Sequence, residues 1–148
     1  MKSICMMTIA LSALALPVSA QDLNLALQCD GVETFDTTVS VPGQDGGAPV
    51  IRNDTSRQFE RVQIIFEGTG GRVRMPDVPG HRGSSGDGWR PLNNVAQAGD
   101  LITARFSYDF LDHPSVRIDR TTGGIEISSL AARFVGECQP YDASARRF

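Results

Sequence analysis

Two cysteines, Cys29 and Cys138, stand near opposite ends of the chain, and each sits in a run where apolar residues take every second position. Leu23, Leu25, Leu27 and Cys29 form one set; Ala132, Phe134, Gly136 and Cys138 form the other. In extended strands each set points to a single face. Both thiols therefore belong to apolar faces, and joining them makes the first and last strands neighbours. That favours a closed or nearly closed β-structure over a loose sheet. The alternatives are two free buried thiols or a bridge between molecules. A metal site is excluded on ligand count, because two thiols without nearby histidines fall short of the usual four ligands.

The compartment follows from the start of the chain. Residues 1–20, MKSICMMTIALSALALPVSA, carry one positive charge, an apolar stretch from Ile4 to about Leu16, then Pro17 and the small residues Val18-Ser19-Ala20. This is the order of a secretory signal peptide. The apolar run is short for a membrane span, which needs about 20 residues. Cleavage after Ala20 leaves a chain beginning at Gln21, read as one β-domain over 21–138 and a solvated tail over 139–148. An exported chain meets an oxidising environment, where one cysteine pair closes. In the chain-entropy model a bridge around so long a loop stabilises by roughly 4–5 kcal/mol at most. The expected location is periplasmic or secreted, with no integral membrane segment once the signal is removed.

The signal contains the only lysine, so the remainder has 13 arginines against 17 acidic residues. A mildly acidic chain gives no footprint for nucleic acid or an anionic membrane.

Strand signals recur along the chain: 23–29, a weak one at 37–41, 58–66, 72–75, 101–108, 115–120, 125–128 and 131–138. Most alternate apolar with polar, as half-buried antiparallel strands do. Residues 42–56 are rich in Gly, Pro, Asp and Asn and read as loop. No long window after the signal carries a helical apolar period. The expectation is all-β: a small antiparallel barrel or sandwich of seven to nine short strands, the terminal pair joined by Cys29–Cys138. A lipid-spanning barrel is disfavoured by short strands rich in Gly, Pro and charge.

The segment 76–91, PDVPGHRGSSGDGWRP, is the most functional-looking stretch, since long aperiodic loops usually bind something or move. It contains the only tryptophan, Trp89, with His81, Arg82, Asp87 and Arg90. Exposed, these would form a recognition spot of the aromatic–arginine kind; alternatively Trp89 begins a strand and fills the core. Ser84-Ser85 invites a nucleophile reading, but G-x-S-x-G is absent and the candidate bases are only His81 and His113. Gly68-Thr69-Gly70-Gly71 has no following helix and is not a phosphate loop. Asn53-Asp54-Thr55 matches a glycosylation acceptor. Asp119 and Arg120 precede a Thr121-Thr122-Gly123-Gly124 turn; the Asp accepts from turn amides, Arg120 bridges strand ends, and Gly123 supplies the positive φ. No residue pattern calls for a metal, a cofactor or a catalytic role.

The run Val116-Arg117-Ile118-Asp119-Arg120-Thr121-Thr122-Gly123, then Ile125-Glu126-Ile127 and Phe134-Val135-Gly136-Glu137-Cys138, resembles a group of small exported proteobacterial proteins of unknown function. Those proteins end in a D-R-x-T-G hairpin and an F-x-G-x-C strand. Gly71-Arg72-Val73-Arg74-Met75-Pro76 and Gly88-Trp89-Arg90-Pro91-Leu92 look like the same group. The resemblance covers residues 60–138 and implies a periplasmic β-domain without an assigned activity. A shorter likeness is to periplasmic C-type lysozyme inhibitors, small disulfide-tied β-barrels with a Ser-Gly-x-x-Tyr loop. Here Ser85-Gly86-Asp87-Gly88-Trp89 has Trp where Tyr is expected.

The functional expectation is a non-enzymatic envelope protein that binds a protein or small ligand through loops. The alternatives are an inhibitor of a cell-wall hydrolase (lysozyme) or protease, and a periplasmic hydrolase.

Overall fold

The computed structural model describes residues 23–43, 47–75, 88–108 and 110–142. They form a closed antiparallel barrel of eight strands, each hydrogen-bonded to its neighbours in sequence, with the last returning to the first. The strands are β1 (Leu23–Val41), β2 (Val50–Gly68), β3 (Gly70–Arg74), β4 (Trp89–Ala98), β5 (Leu101–Arg105), β6 (Ser115–Asp119), β7 (Gly124–Ser128) and β8 (Ala132–Pro140). Closure leaves no edge within the barrel wall, which is how small all-β folds avoid open edges.

Alternation decides which side each residue takes. Leu27 and Cys29 on β1, Val62, Ile64 and Phe66 on β2, Ile102 and Ala104 on β5, Val116 and Ile118 on β6, Ile125 and Ile127 on β7, and Phe134 on β8 are all buried in one apolar cluster. The intervening residues Asp30, Arg61, Arg72, Arg105, Arg117 and Arg133 face out and are exposed. An eight-stranded barrel is just wide enough for its own side chains to fill it. Apolar inside and charged outside is the reverse of the distribution a lipid-spanning barrel needs. Among the described residues no helix is long and apolar enough to cross a membrane.

The seam is the pairing of β1 with β8, from Leu27–Pro140 to Phe35–Ala132. Cys29 lies directly opposite Cys138, and the two are bonded, with their Cα atoms 3.9 Å apart. Two pairs further along, Gly31 faces Gly136. A Cβ on Gly31 would meet the Val135 carbonyl oxygen at 2.4 Å and Phe134 Cζ at 2.7 Å; one on Gly136 would meet the Asp30 carbonyl oxygen at 2.4 Å. Both glycines are thus needed for the strands to approach and for the Phe134 ring to lie across the seam. Phe134 is fully buried and packs in the same cluster as Cys29.

Three readings from sequence are corrected here. Residues 50–56 are strand, because β2 starts at Val50 and pairs with β1 through Val41. The weak 37–41 strand is the continuation of β1. Trp89 does begin a strand, β4, as one of its two readings holds, but it is half-buried on the outer face and not in the core; apolar alternation does not mark this strand, since a register shift between Asn93 and Ala96 interrupts it and Asn94 takes a positive φ of 53°. At the other end β8 includes Gln139 and Pro140, so the tail starts later than 139.

The barrel has two unlike ends. One is closed by short turns at Gly68–Thr69, Gly99–Asp100 and Arg120–Gly123. The opposite end, the mouth, carries the 106–114 and 129–131 connections and Met75. From the mouth, β1 and β2 continue as a two-stranded arm, Asp36–Val41 with Val50–Thr55, past the last β1–β8 pair.

Gly31→Ala or Gly136→Ala is expected to destabilise the barrel by about 1–3 kcal/mol, the usual range for overpacking, and more if β8 detaches. Chemical denaturation of each variant against wild type measures this.

Candidate functional site

Among the described residues, the buried polar side chains Glu33 and Asp112 both lie at the mouth. Glu33 continues the inward series of β1 beyond Gly31 and pairs with Phe134. It is 2% exposed. Arg90 pairs with inward-facing Val73 and so points into the mouth, whereas Trp89 pairs with Arg74 on the outer wall. Tyr108 extends the inward series of Ile102, Ala104 and Phe106 past the end of β5, its ring edge-on to Phe106 with centroids 5.2 Å apart.

These side chains converge. The Arg90 guanidinium lies over the Tyr108 ring, 4.9 Å from its centroid. Its Nη1 donates to the carbonyls of Ser107 at 3.1 Å and Tyr108 at 3.0 Å. A cation on a ring face is favoured by the ring quadrupole, and here it also ties β4 to the end of β5. Burial pushes the Tyr108 phenol well above the ordinary tyrosine range. The Glu33 carboxylate and Asp112 push the same way, and Arg90 opposes them. Glu33, Met75, Tyr108, Ser129 and Phe134 line a cavity of about 10 Å³. That is room for about one water molecule, not an organic ligand.

The rim above is organised by Asp112, which is itself buried. The 106–114 connection extends the β5–β6 ladder: Phe106 N–H donates to the Pro114 carbonyl at 3.2 Å and Tyr108 N–H to the Asp112 carbonyl at 3.0 Å. The Asp112 carboxylate accepts the N–H of Leu130 at 3.3 Å, fastening the 129–131 turn to this loop. On the other side, Asp36 N–H donates to the Ala131 carbonyl at 3.4 Å. Three loosely related segments therefore make one continuous rim. On it Phe110, Leu111 and Leu130 are 85%, 66% and 81% exposed.

The sequence-derived recognition spot is split by the structure. Trp89 is half-buried on the outer wall with the Arg72 guanidinium 5.1 Å from its ring centroid, while Arg90 faces the mouth. Adjacent residues of a strand point to opposite sides, so the two cannot form one surface. His81, Arg82 and Asp87 lie outside the described residues. His113 Nδ1 is 2.9 Å from Ser107 Oγ, on the exposed side of the loop. Among the described residues no cluster of His, Cys, Asp and Glu could hold a metal ion.

At the closed end, Asp119 Oδ1 accepts the amides of Thr121 at 2.8 Å and Thr122 at 3.3 Å. The Thr121 amide is the main reason its carboxyl is held below the ordinary carboxylate range. Gly123 has φ 75°, its N–H bonds the Asp119 carbonyl at 2.8 Å, and its carbonyl accepts Cys138 N–H at 2.8 Å. Arg120 is joined through its backbone N–H to the Asp100 carbonyl at 2.8 Å, which links two turns; its side chain is exposed.

Sequence reasoning placed Tyr108 on the apolar face of its strand but missed its contact with Arg90, and it missed Glu33 and the structural role of Asp112. The available signal was phase: Glu33 sits where the β1 alternation calls for an apolar residue, and Tyr108 where that of β5 does. No protein-family model matches the chain. No curated protein matches it significantly either.

A folded-state pKa above the unfolded value means the neutral phenol stabilises the fold, and that this stabilisation is lost as pH rises past the ordinary tyrosine range. The phenolate absorbance assigned to Tyr108, taken as wild type minus Tyr108→Phe, is expected to appear only at higher pH than free tyrosine and together with unfolding. A difference spectrum that titrates like free tyrosine, with the fold intact, contradicts the buried placement.

Proposed function

We propose that the protein is an exported binding module that engages a partner protein with the rim of the barrel mouth. The observation that carries this is the set Phe110, Leu111 and Leu130, large apolar residues left open to solvent on two loops that Asp112 fastens together. Large exposed apolar side chains on loops tied to one another are a usual mark of an interaction site. Pre-ordering the loops lowers the entropy cost of binding. The cavity lined by Glu33, Tyr108 and Phe134 has space for about one water, which supports a protein partner over a small ligand held at that spot. Export from the cytoplasm is supported by the disulfide, which needs an oxidising compartment.

A second reading is inhibition of a cell-wall hydrolase such as lysozyme. It draws on the disulfide-tied barrel, the fold that the likeness to C-type lysozyme inhibitors implies, and it acts through the 76–91 segment. Hydrolytic activity has less support: the Ser107–His113 pair is exposed.

The test is site-specific photo-crosslinking in envelope extract. A crosslinker at Phe110 or Leu130 is expected to capture a discrete protein that a crosslinker at Thr69 or Thr121, on the closed end, does not. Capture should fall at least tenfold in a Phe110→Ser/Leu111→Ser/Leu130→Ser variant. Equal labelling from both ends overturns the rim reading. Slowed lysozyme turnover on peptidoglycan by purified protein selects the inhibitor reading.

A further inference from the structure

We infer that the protein self-associates through the open edge of β2, two copies pairing antiparallel about a two-fold axis at Thr55. Among the described residues, the second edge of β2 is hydrogen-bonded only over Gln63–Glu67, to β3. Among the described residues, Val50–Val62 therefore have no strand partner on that side, and their Val50–Thr55 part belongs to the arm beyond the closed wall. A two-stranded ribbon alone is marginal in water, whereas three or more strands are stable. The arm formed by Asp36–Val41 and Val50–Thr55 is such a ribbon, and a second copy would make it four-stranded.

The side chains on this edge select the occupant and the register. Ile51 and Phe59 are 73% and 88% exposed, and both lie on the outer face of β2, on odd-numbered positions. An antiparallel pairing centred on Thr55 sets Ile51 opposite Phe59 of the second copy, and the symmetry repeats the contact. Asn53 then faces Arg57. On the other face Val50 meets Glu60, Arg52 meets Gln58 and Asp54 meets Ser56. No like charges are opposed. Cross-strand apolar pairs stabilise a sheet and directly opposed like charges destabilise it.

The neighbouring registers are worse. Centring on Arg57 opposes Arg57 to itself and Asp54 to Glu60. Centring on Asp54 opposes that carboxylate to itself and places Ile51 against Arg57. Centring on Ser56 avoids repulsion but sets Phe59 against Asn53 and Ile51 against Arg61. Only the Thr55 register joins the two exposed apolar residues without a charge conflict. The charges spaced along β2, which protect an edge against indiscriminate pairing, thereby leave one self-complementary arrangement. This surface is distinct from the rim, so the dimer would present two mouths.

Analytical ultracentrifugation of the chain lacking residues 1–20 is expected to show a concentration-dependent doubling of mass. Ile51→Lys or Phe59→Lys should abolish it; both residues are exposed, so circular dichroism should be unchanged. Register is read by single cysteines. Thr55→Cys should form a disulfide-linked dimer under mild oxidation, at least tenfold faster than Ser56→Cys or Arg57→Cys. A monomer at all concentrations up to the millimolar range overturns the inference, as does a dimer that survives both lysine variants. Preferential linkage at residue 56 or 57 overturns the register.

Discussion

The fold depends on the meeting of β1 and β8. Seven of the eight strand pairings join neighbours in sequence, but this one must bring together residues over a hundred positions apart, and its cost is chain entropy. The cysteine bond offsets that cost by restricting the unfolded chain, while Gly31 and Gly136 allow an approach that any side chain would block. Once the seam is made, the inward faces enclose a volume that Phe66, Phe106 and Phe134 fill. A circuit of paired residues that leaves β1 at Thr34 through β8 comes back to β1 near Leu25. This offset tilts the strands, as closure of an eight-stranded barrel requires.

Closure also separates the two ends. The turns of the closed end are set by local chemistry, shown most clearly by Asp119 capping the Thr121 and Thr122 amides. The mouth is set by long-range chemistry. Arg90 from β4 sits over Tyr108 from β5, and Asp112 reaches the Leu130 amide across two strands. Arg90 and Asp112 are tolerated there because they bond the loop backbone. The result is an ordered frame under exposed apolar residues, a combination suited to recognition.

Most of the barrel was legible in the sequence because alternation with period two is a direct consequence of strand geometry. It identified both faces of the terminal strands and hence the cysteine pairing. The arm was not legible: Arg52, Asn53 and Asp54 read as loop, and nothing buries them, so no apolar phase marks them as strand. β4 was hidden for a different reason, since its irregularity at Asn94 breaks the period. The candidate site was less legible still. Trp89 and Arg90 were grouped by adjacency, but strand geometry divides them. Asp112 looked like a turn residue, and its bond to Leu130 spans 18 positions that only the folded barrel brings together.

The account rests on β8 being hydrogen-bonded on both sides, to β7 and to β1. Native-state amide exchange of the intact protein tests this directly. The account predicts that amides of residues 133–138 exchange as slowly as those of β5 and β6, at the limit set by global unfolding. Exchange of alternate β8 amides within seconds, with β5 and β6 still protected, would mean that β8 lacks its second partner and that the barrel is open.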